Sequence, residues 1–226
     1  MDCITTDNKK DELYLIKRED MEIVSEIAGN SFINDPYFKY MFYELGEEER
    51  HSFMFDMERA FVDQIVDFNE CYALDSSFNS IAFILPPSIG WPEDKWDEFT
   101  DSQRDLLLKK GLTLTHERLL KLEDVISIRF EEFDALNCYY LVTLATNIKF
   151  RKQGLASKLL NKLFEKFDRE QKRCYIECTN DVNLQFYLNH GFTILGQEKL
   201  PNVGNVPNND VPQITFMHRL PKKKIE

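Results

Sequence analysis

Residues 151–156, Arg151-Lys152-Gln153-Gly154-Leu155-Ala156, form a short basic loop with one glycine. It follows an apolar run and precedes an amphipathic stretch. That order suits an anion, and a phosphate above all. The first amides of a helix have no internal partner, the helix dipole adds partial positive charge there, and glycine lets a ligand approach the backbone closely. Two familiar phosphate loops are absent, since neither GxxxxGK[ST] nor GxGxxG occurs. Cys174 and Cys178 are the one close cysteine pair, and their spacing fits no common zinc pattern, so no metal is expected. They read as small hydrophobes in or near a strand.

The elements that must hold the loop are legible from periodicity. Residues 138–146 (CYYLVTLAT) are nearly all apolar and rich in β-formers, as in a central strand covered on both faces. After the loop, Leu155, Leu159, Leu160, Leu163, Phe164 and Phe167 share one helical face, and Lys158, Lys162 and Lys166 the other. Those lysines read as a solvated face or as a longer-range attraction for phosphate. Residues 173–178 form another strand. Asn180 is an expected N-cap for a short helix running to His190, with Gly191 at the C-terminal cap. His190 there is expected to partner the helix dipole rather than to act as a base.

Upstream, residues 13–17 are a strand candidate, Asp20 an N-cap, and Ile23, Ile27 and Ala28 one helix face. After the turn signal Asn34-Asp35-Pro36, the stripe Phe53, Met57, Phe61, Ile65 and Phe68 marks a further helical region. Two strands at 70–74 and 81–85 flank a hairpin loop, Pro86-Pro87 stops the second, and 91–123 is a helical insert. Two last strands flank the Pro/Asn-rich loop 201–212. The expected fold class is α/β (α+β), a mixed sheet in one domain.

The 226 residues carry 28 Lys plus Arg against 39 Asp plus Glu, a net charge of −11, which argues against a general nucleic-acid binder. With 43% apolar residues the chain can build a core, and no apolar run reaches the ~20 residues that span a bilayer. No membrane partner is expected. Five cysteines (Cys3, Cys71, Cys138, Cys174, Cys178) are an odd number without a CxxC pair, and the first residues are polar and acidic without an export core. The expected setting is reducing and cytoplasmic.

The loop also matches the [QR]-x-x-G-x-[GA] signature of the GNAT superfamily of acetyl-CoA-dependent N-acetyltransferases, and it follows a Leu144-Ala145 strand end as in that family. Residues 179–192 (TNDVNLQFYLNHGF) resemble the family's closing motif, in which an Asn precedes a Phe-Tyr pair and Gly-Phe ends the helix. The two motifs stand in the family's order and spacing. Asp35-Pro36-Tyr37-Phe38, the 81–87 strand and the insert resemble the puromycin N-acetyltransferase-like branch. Ile148 departs from the family's frequent Pro, and Ala156 is the permitted variant of a common Gly.

The resemblance implies a single GNAT-like acyl-CoA N-acyltransferase domain over 1–226, with its cofactor core at 137–196. It implies a mostly antiparallel sheet flanked by helices, whose splayed central strands receive acetyl-CoA. The backbone of Leu144, Ala145 and Thr146 would pair with the pantetheine amides, one of them facing the thioester oxygen. Arg151, Lys152, Gln153, Gly154, Leu155 and Ala156 would hold the pyrophosphate, with Ser157 at the margin. Asn183 would contact the cofactor, and Tyr187 would protonate the departing CoA thiolate. Tyr187 could otherwise plug the helix against the sheet.

An amine attacks only when unprotonated, so a base is needed. Glu177 is the candidate, in a strand beside the cofactor where desolvation would raise its pKa. The alternative for it is a structural ion pair with Arg173 or another basic residue. Glu131, Glu132 and Asp134 are surface-loop alternatives that could bring in a cationic substrate. The implied activity is direct acetyl transfer to a primary amine, on a small molecule or a protein, in a monomer or homodimer. The competing readings are a non-catalytic acyl-CoA sensor or protein-binding module, and an enzyme for another acyl-CoA.

Overall fold

A computed structural model describes residues 12–68 and 70–223, apart from the side chains of Glu93 and Trp96. Cys3 lies outside the described residues. Seven strands form one sheet: β1 (Tyr14–Leu15), β2 (Tyr72–Ala73), β3 (Ser80–Leu85), β4 (Tyr139–Thr146), β5 (Cys174–Cys178), β6 (Thr193–Lys199) and β7 (Gln213–Arg219). Their order is β1-β2-β3-β4-β5-β7-β6. Every pair is antiparallel except β4 with β5, which is parallel. The mixed sheet is the expected fold class.

The helices are α1 (Met21–Phe32), α2 (Pro36–Met41), α3 (Glu47–Ile65), α4 (Glu93–Lys109), α5 (Thr113–Glu132), α6 (Leu155–Arg169) and α7 (Asp181–Asn189). One face of the sheet, including Tyr139, Leu141, Cys174 and Ile176, packs on Leu159, Leu160, Leu163 and Phe167 of α6. The other face, including Phe83, Tyr140, Ala145 and Tyr175, packs on the α1 to α3 layer through Val24, Ile27, Met54 and Ile65. The leucine stripe read from the sequence thus becomes one of two cores. Gly29 lets α1 close on α3, because a β-carbon there would stand 3.2 Å from the Phe55 backbone nitrogen.

The turn signal at Asp35 acts as expected, its carboxylate capping α2 by accepting from the Tyr37 amide at 2.9 Å. Asp20 works differently. It immediately precedes α1 but makes no side-chain cap bond to it, and accepts instead from the Lys17 amide at 2.9 Å. The insert is two helices broken at Gly111, whose φ is +73°. The second runs on past residue 123, so Glu131 and Glu132 stand on the last turn of α5 rather than in a loop. Lys166 leaves the solvated face to pair with Glu70. No described helix is long and apolar enough to cross a membrane.

Candidate active site

Two features of β4 shape the site. The first is its pairing with β5, which holds at Tyr139 with Cys174 and at Tyr140 with Tyr175 and goes no further. β4 continues to Thr146 with β3 as its one strand neighbour, where Leu144, Ala145 and Thr146 face Ala82, Ile81 and Ser80. Past Tyr140, the β5-facing edge of β4 therefore has no strand beside it. Such an edge presents free amides and carbonyls.

The second is a β-bulge. Thr143 pairs with Phe83 while Leu141 pairs with Ile84, so Val142 is an extra residue in β4. Leu141 and Leu144 face the α6 side, whereas Val142 packs against the α1 to α3 side. The bulge turns Thr143 to that same side, where its hydroxyl donates to Glu58 Oε2 at 3.3 Å. Without the extra residue, strict alternation would send that hydroxyl to the α6 core.

A cavity of about 560 Å³ opens where β4 leaves β5. Leu144, Asn183 and Tyr187 reach it from the sequence-derived set, as do Glu177 and Glu131. Ala145, Thr146 and residues 151–157 do not line it. The loop lies outside, at the end of β4, where Gly154 adopts φ +74° and Lys152 φ +63° just before the first turn of α6. The Arg151 guanidinium donates to the Ser31 carbonyl at 2.7 Å and to the Thr146 carbonyl at 3.3 Å, tying the loop to α1 and β4. Arg151 is thereby an anchor of the loop as well as a nearby positive charge.

Glu177 accepts hydrogen bonds from the hydroxyls of Tyr140, at 2.9 Å, and Tyr175, at 3.3 Å. Burial pushes its carboxyl up to about 7, against the smaller stabilising effect of those two hydroxyls. The alternative ion pair with Arg173 does not form, because Arg173 pairs with Asp134. Tyr187 lies between Phe186 and Phe192, with ring centroids 5.3 and 5.4 Å away. Burial, followed by the nearby Cys178, Cys174 and Asp35, raises its pKa and keeps the hydroxyl protonated at neutral pH.

Asn180 caps α7 as expected, accepting from the Asn183 amide at 2.8 Å. Asn180 and Thr179 also donate to Asp35, which locks the β5–α7 turn to the start of α2. His190 holds the Phe186 carbonyl through Nδ1 at 2.7 Å and packs on that ring, a structural part. Cys71, Cys138, Cys174 and Cys178 are free and buried. No group of three or more potential metal ligands occurs among the described residues.

Sequence reading missed Glu58, which is 2% exposed and lines the cavity from α3. It also missed Glu123, whose carboxyl burial raises and the nearby Arg104 lowers in part. Glu58 stands beside the apolar stripe of α3, directly after Met57. A charged residue in a helix whose other face is solvated gives no signal of being buried.

Residues 119–194 match the family described as the acetyltransferase (GNAT) domain. No curated protein matches the chain. Among solved structures, the fold is similar to Drosophila melanogaster polyamine N-acetyltransferase, at TM-score 0.58 and 10% identity over 92% of this chain and 99% of that one. It is similar to arylalkylamine N-acetyltransferase 2 from Aedes aegypti, at 0.56 and 18% over 92% and 98%. It is also similar to the PaiA N-acetyltransferase from Thermoplasma acidophilum in complex with coenzyme A, at 0.50 and 12% over 92% and 98%. The interrupted β4–β5 pair, the basic loop before α6 and the closing helix thus stand in a chain whose residues 119–194 match the acetyltransferase (GNAT) domain and whose fold is similar to that of these N-acetyltransferases.

Proposed function

We propose that the whole chain works as one N-acetyltransferase, moving acetyl from acetyl-CoA directly to a primary amine in a ternary complex. The observation that carries this reading is the parting of β4 from β5 at a cavity that Tyr187 lines. Acetyl-CoA, when bound, supplies an activated acetyl thioester. The residues fit such a donor. The edge of β4 from Leu144 to Thr146, which no strand covers on the β5 side, offers backbone groups to an extended amide-bearing arm, and an amide there meets the negative charge that grows on the thioester oxygen.

The amides of Lys152 to Ala156, with Ser157 at the margin, receive the pyrophosphate. Left-handed backbone at Lys152 and Gly154 folds this segment into a tight turn at the positive end of α6, a device that suits anions. Asn183 steadies the donor from α7. Tyr187, protonated at neutral pH, hands its proton to the leaving thiolate. Glu177 takes the proton that the attacking amine must lose. With a carboxyl titrating at about 7, it can accept near neutrality. The polyamine and arylalkylamine relatives by fold bear names that agree with an amine acceptor.

Melting curves with and without acetyl-CoA, for wild type and Gly154→Glu, test the donor half. A ligand that binds only the native state raises stability by about 2.7 kcal/mol at a hundredfold excess over Kd. The expected result is a rise in wild type that vanishes in a folded variant, together with thioester consumption that depends on added amine. No rise at millimolar acetyl-CoA overturns the donor assignment. Consumption that ignores every amine overturns the acceptor assignment.

A further inference from the structure

Glu58 is the most deeply buried carboxylate of the cavity, and among the described residues no cation pairs with it. Its one hydrogen bond among the described residues comes from Thr143 at 3.3 Å, a long one. Glu177 by contrast receives two tyrosine hydroxyls. A carboxyl sealed from water with so little compensation costs stability, and buried, perturbed carboxyls in cavities cluster at functional sites. Burial pushes Glu58 up to about 8, against the smaller opposing effect of the Thr143 hydroxyl.

Its position is also specific. Thr143, the residue that holds it, directly precedes Leu144, where the β4 edge is assigned to the thioester. Tyr140, which holds Glu177, lies three residues earlier, roughly 10 Å or less along the strand. The residue that holds Glu58 is thus nearer along β4 to Leu144 than the residue that holds Glu177. Next to Glu58 on α3, one turn on, Phe61 meets Trp91 and Phe99 with centroids 5.7 and 5.4 Å away. These three rings line the same cavity as Glu58. An ammonium at Glu58 would carry its substituent against aromatic faces.

We propose that Glu58 receives the ammonium group of the acceptor, and that the acceptor is a monoamine with an aromatic or branched apolar body lodged against Phe61, Trp91 and Phe99. The inference rests on the acetyltransferase reading for the placement of the thioester, and on the cavity alone for the amine. A cation paired to a buried carboxylate makes a charge-assisted bond, and ring faces favour apolar and cationic groups alike. Of the α5 carboxylates that line the cavity, Glu123 is half-buried, while Asp124 and Glu131 are exposed and draw cations toward it.

The test uses the full chain, wild type and Glu58→Gln, by melting shifts with CoA, 2-phenylethylamine, 3-methylbutylamine, putrescine and glycinamide, each amine with and without CoA. An apolar monoamine is expected to protect wild type best. Glu58→Gln should keep the CoA shift and at least the wild-type melting temperature, while its affinity for that amine drops at least tenfold and the KM for it rises to match. Equal amine affinity in Glu58→Gln, tighter binding of putrescine than of both apolar amines, or no amine binding to a protein that binds CoA each overturns the proposal. Loss of folding in both Glu58→Gln and Glu58→Met does so too, since the carboxyl would then be structural. Absence of a CoA shift speaks against the donor site instead, and the amine arms without CoA still decide the role of Glu58.

Discussion

A carboxyl sealed from water gives up its proton late when hydroxyl hydrogen bonds, and no cation, are all that offset its burial. Glu177 and Glu58 are both of this kind, titrating at about 7 and about 8 against an ordinary 4.5. If Glu177 is the base, kcat/KM climbs as pH passes about 7, and Glu177→Gln removes that limb and costs about 10²-fold or more in rate. A rate profile that keeps its shape in the variant excludes the role. Tyr187→Phe removes a proton donor from the same cavity, and the expected result is a fall in kcat of at least about 10²-fold with the acetyl-CoA melting shift unchanged. The raised carboxyls also bear on stability. Between pH 4.5 and 8 the native protein holds protons that the unfolded chain has released, so stability falls as pH rises through that window. Glu58→Gln is expected to melt higher than wild type at pH 8, and the gap should close toward pH 4. A constant gap would refute the linkage.

At the scale of elements, the same spacing rules served some segments and failed at others. The α6 stripe was legible because five of its apolar residues face one core and a glycine stands at its start. Gly154 has φ +74°, and a β-carbon there would meet nothing within 4 Å. Gly154→Ala therefore costs backbone strain alone, about 1–2 kcal/mol, seen as a melting drop of about 2–4 °C per kcal/mol. A larger drop would show a packing cost that the open space excludes. The end of α5 was misjudged because no glycine or proline interrupts 112–133, so the helix runs until Asp134 turns left-handed at φ +54°. The bulge at Val142 was not legible at all. Nothing in LVTLA distinguishes a regular strand from one with an extra residue, since the difference lies in the partner β3.

For the molecule as a whole, distant segments decide the shape of the cavity. Arg118 of α5 is fully buried and pairs with Glu44 through two bonds of 2.7 Å, while its guanidinium also donates to the Val203 carbonyl at 3.0 Å. It joins the insert to the α2–α3 turn and to the loop before β7. Arg118→Ala is expected to cost about 3–5 kcal/mol, because Glu44 loses its partner, and a melting change of under about 3 °C would refute that. The net charge of −11 favours cationic acceptors over longer range, so kcat/KM for such an amine should fall as salt rises.

The sequence by itself determined the elements around residues 138–192, the basic loop, the closing helix and the tyrosine on it, because those features are local: periodicity, caps and a short motif. Only the tertiary structure decided that β4 parts from β5 after two paired positions, that Thr143 turns away from the α6 core, and that Glu58, 85 residues upstream of Thr143, meets it in the cavity. Contacts across such separations depend on how whole layers pack, and no spacing within one segment encodes them.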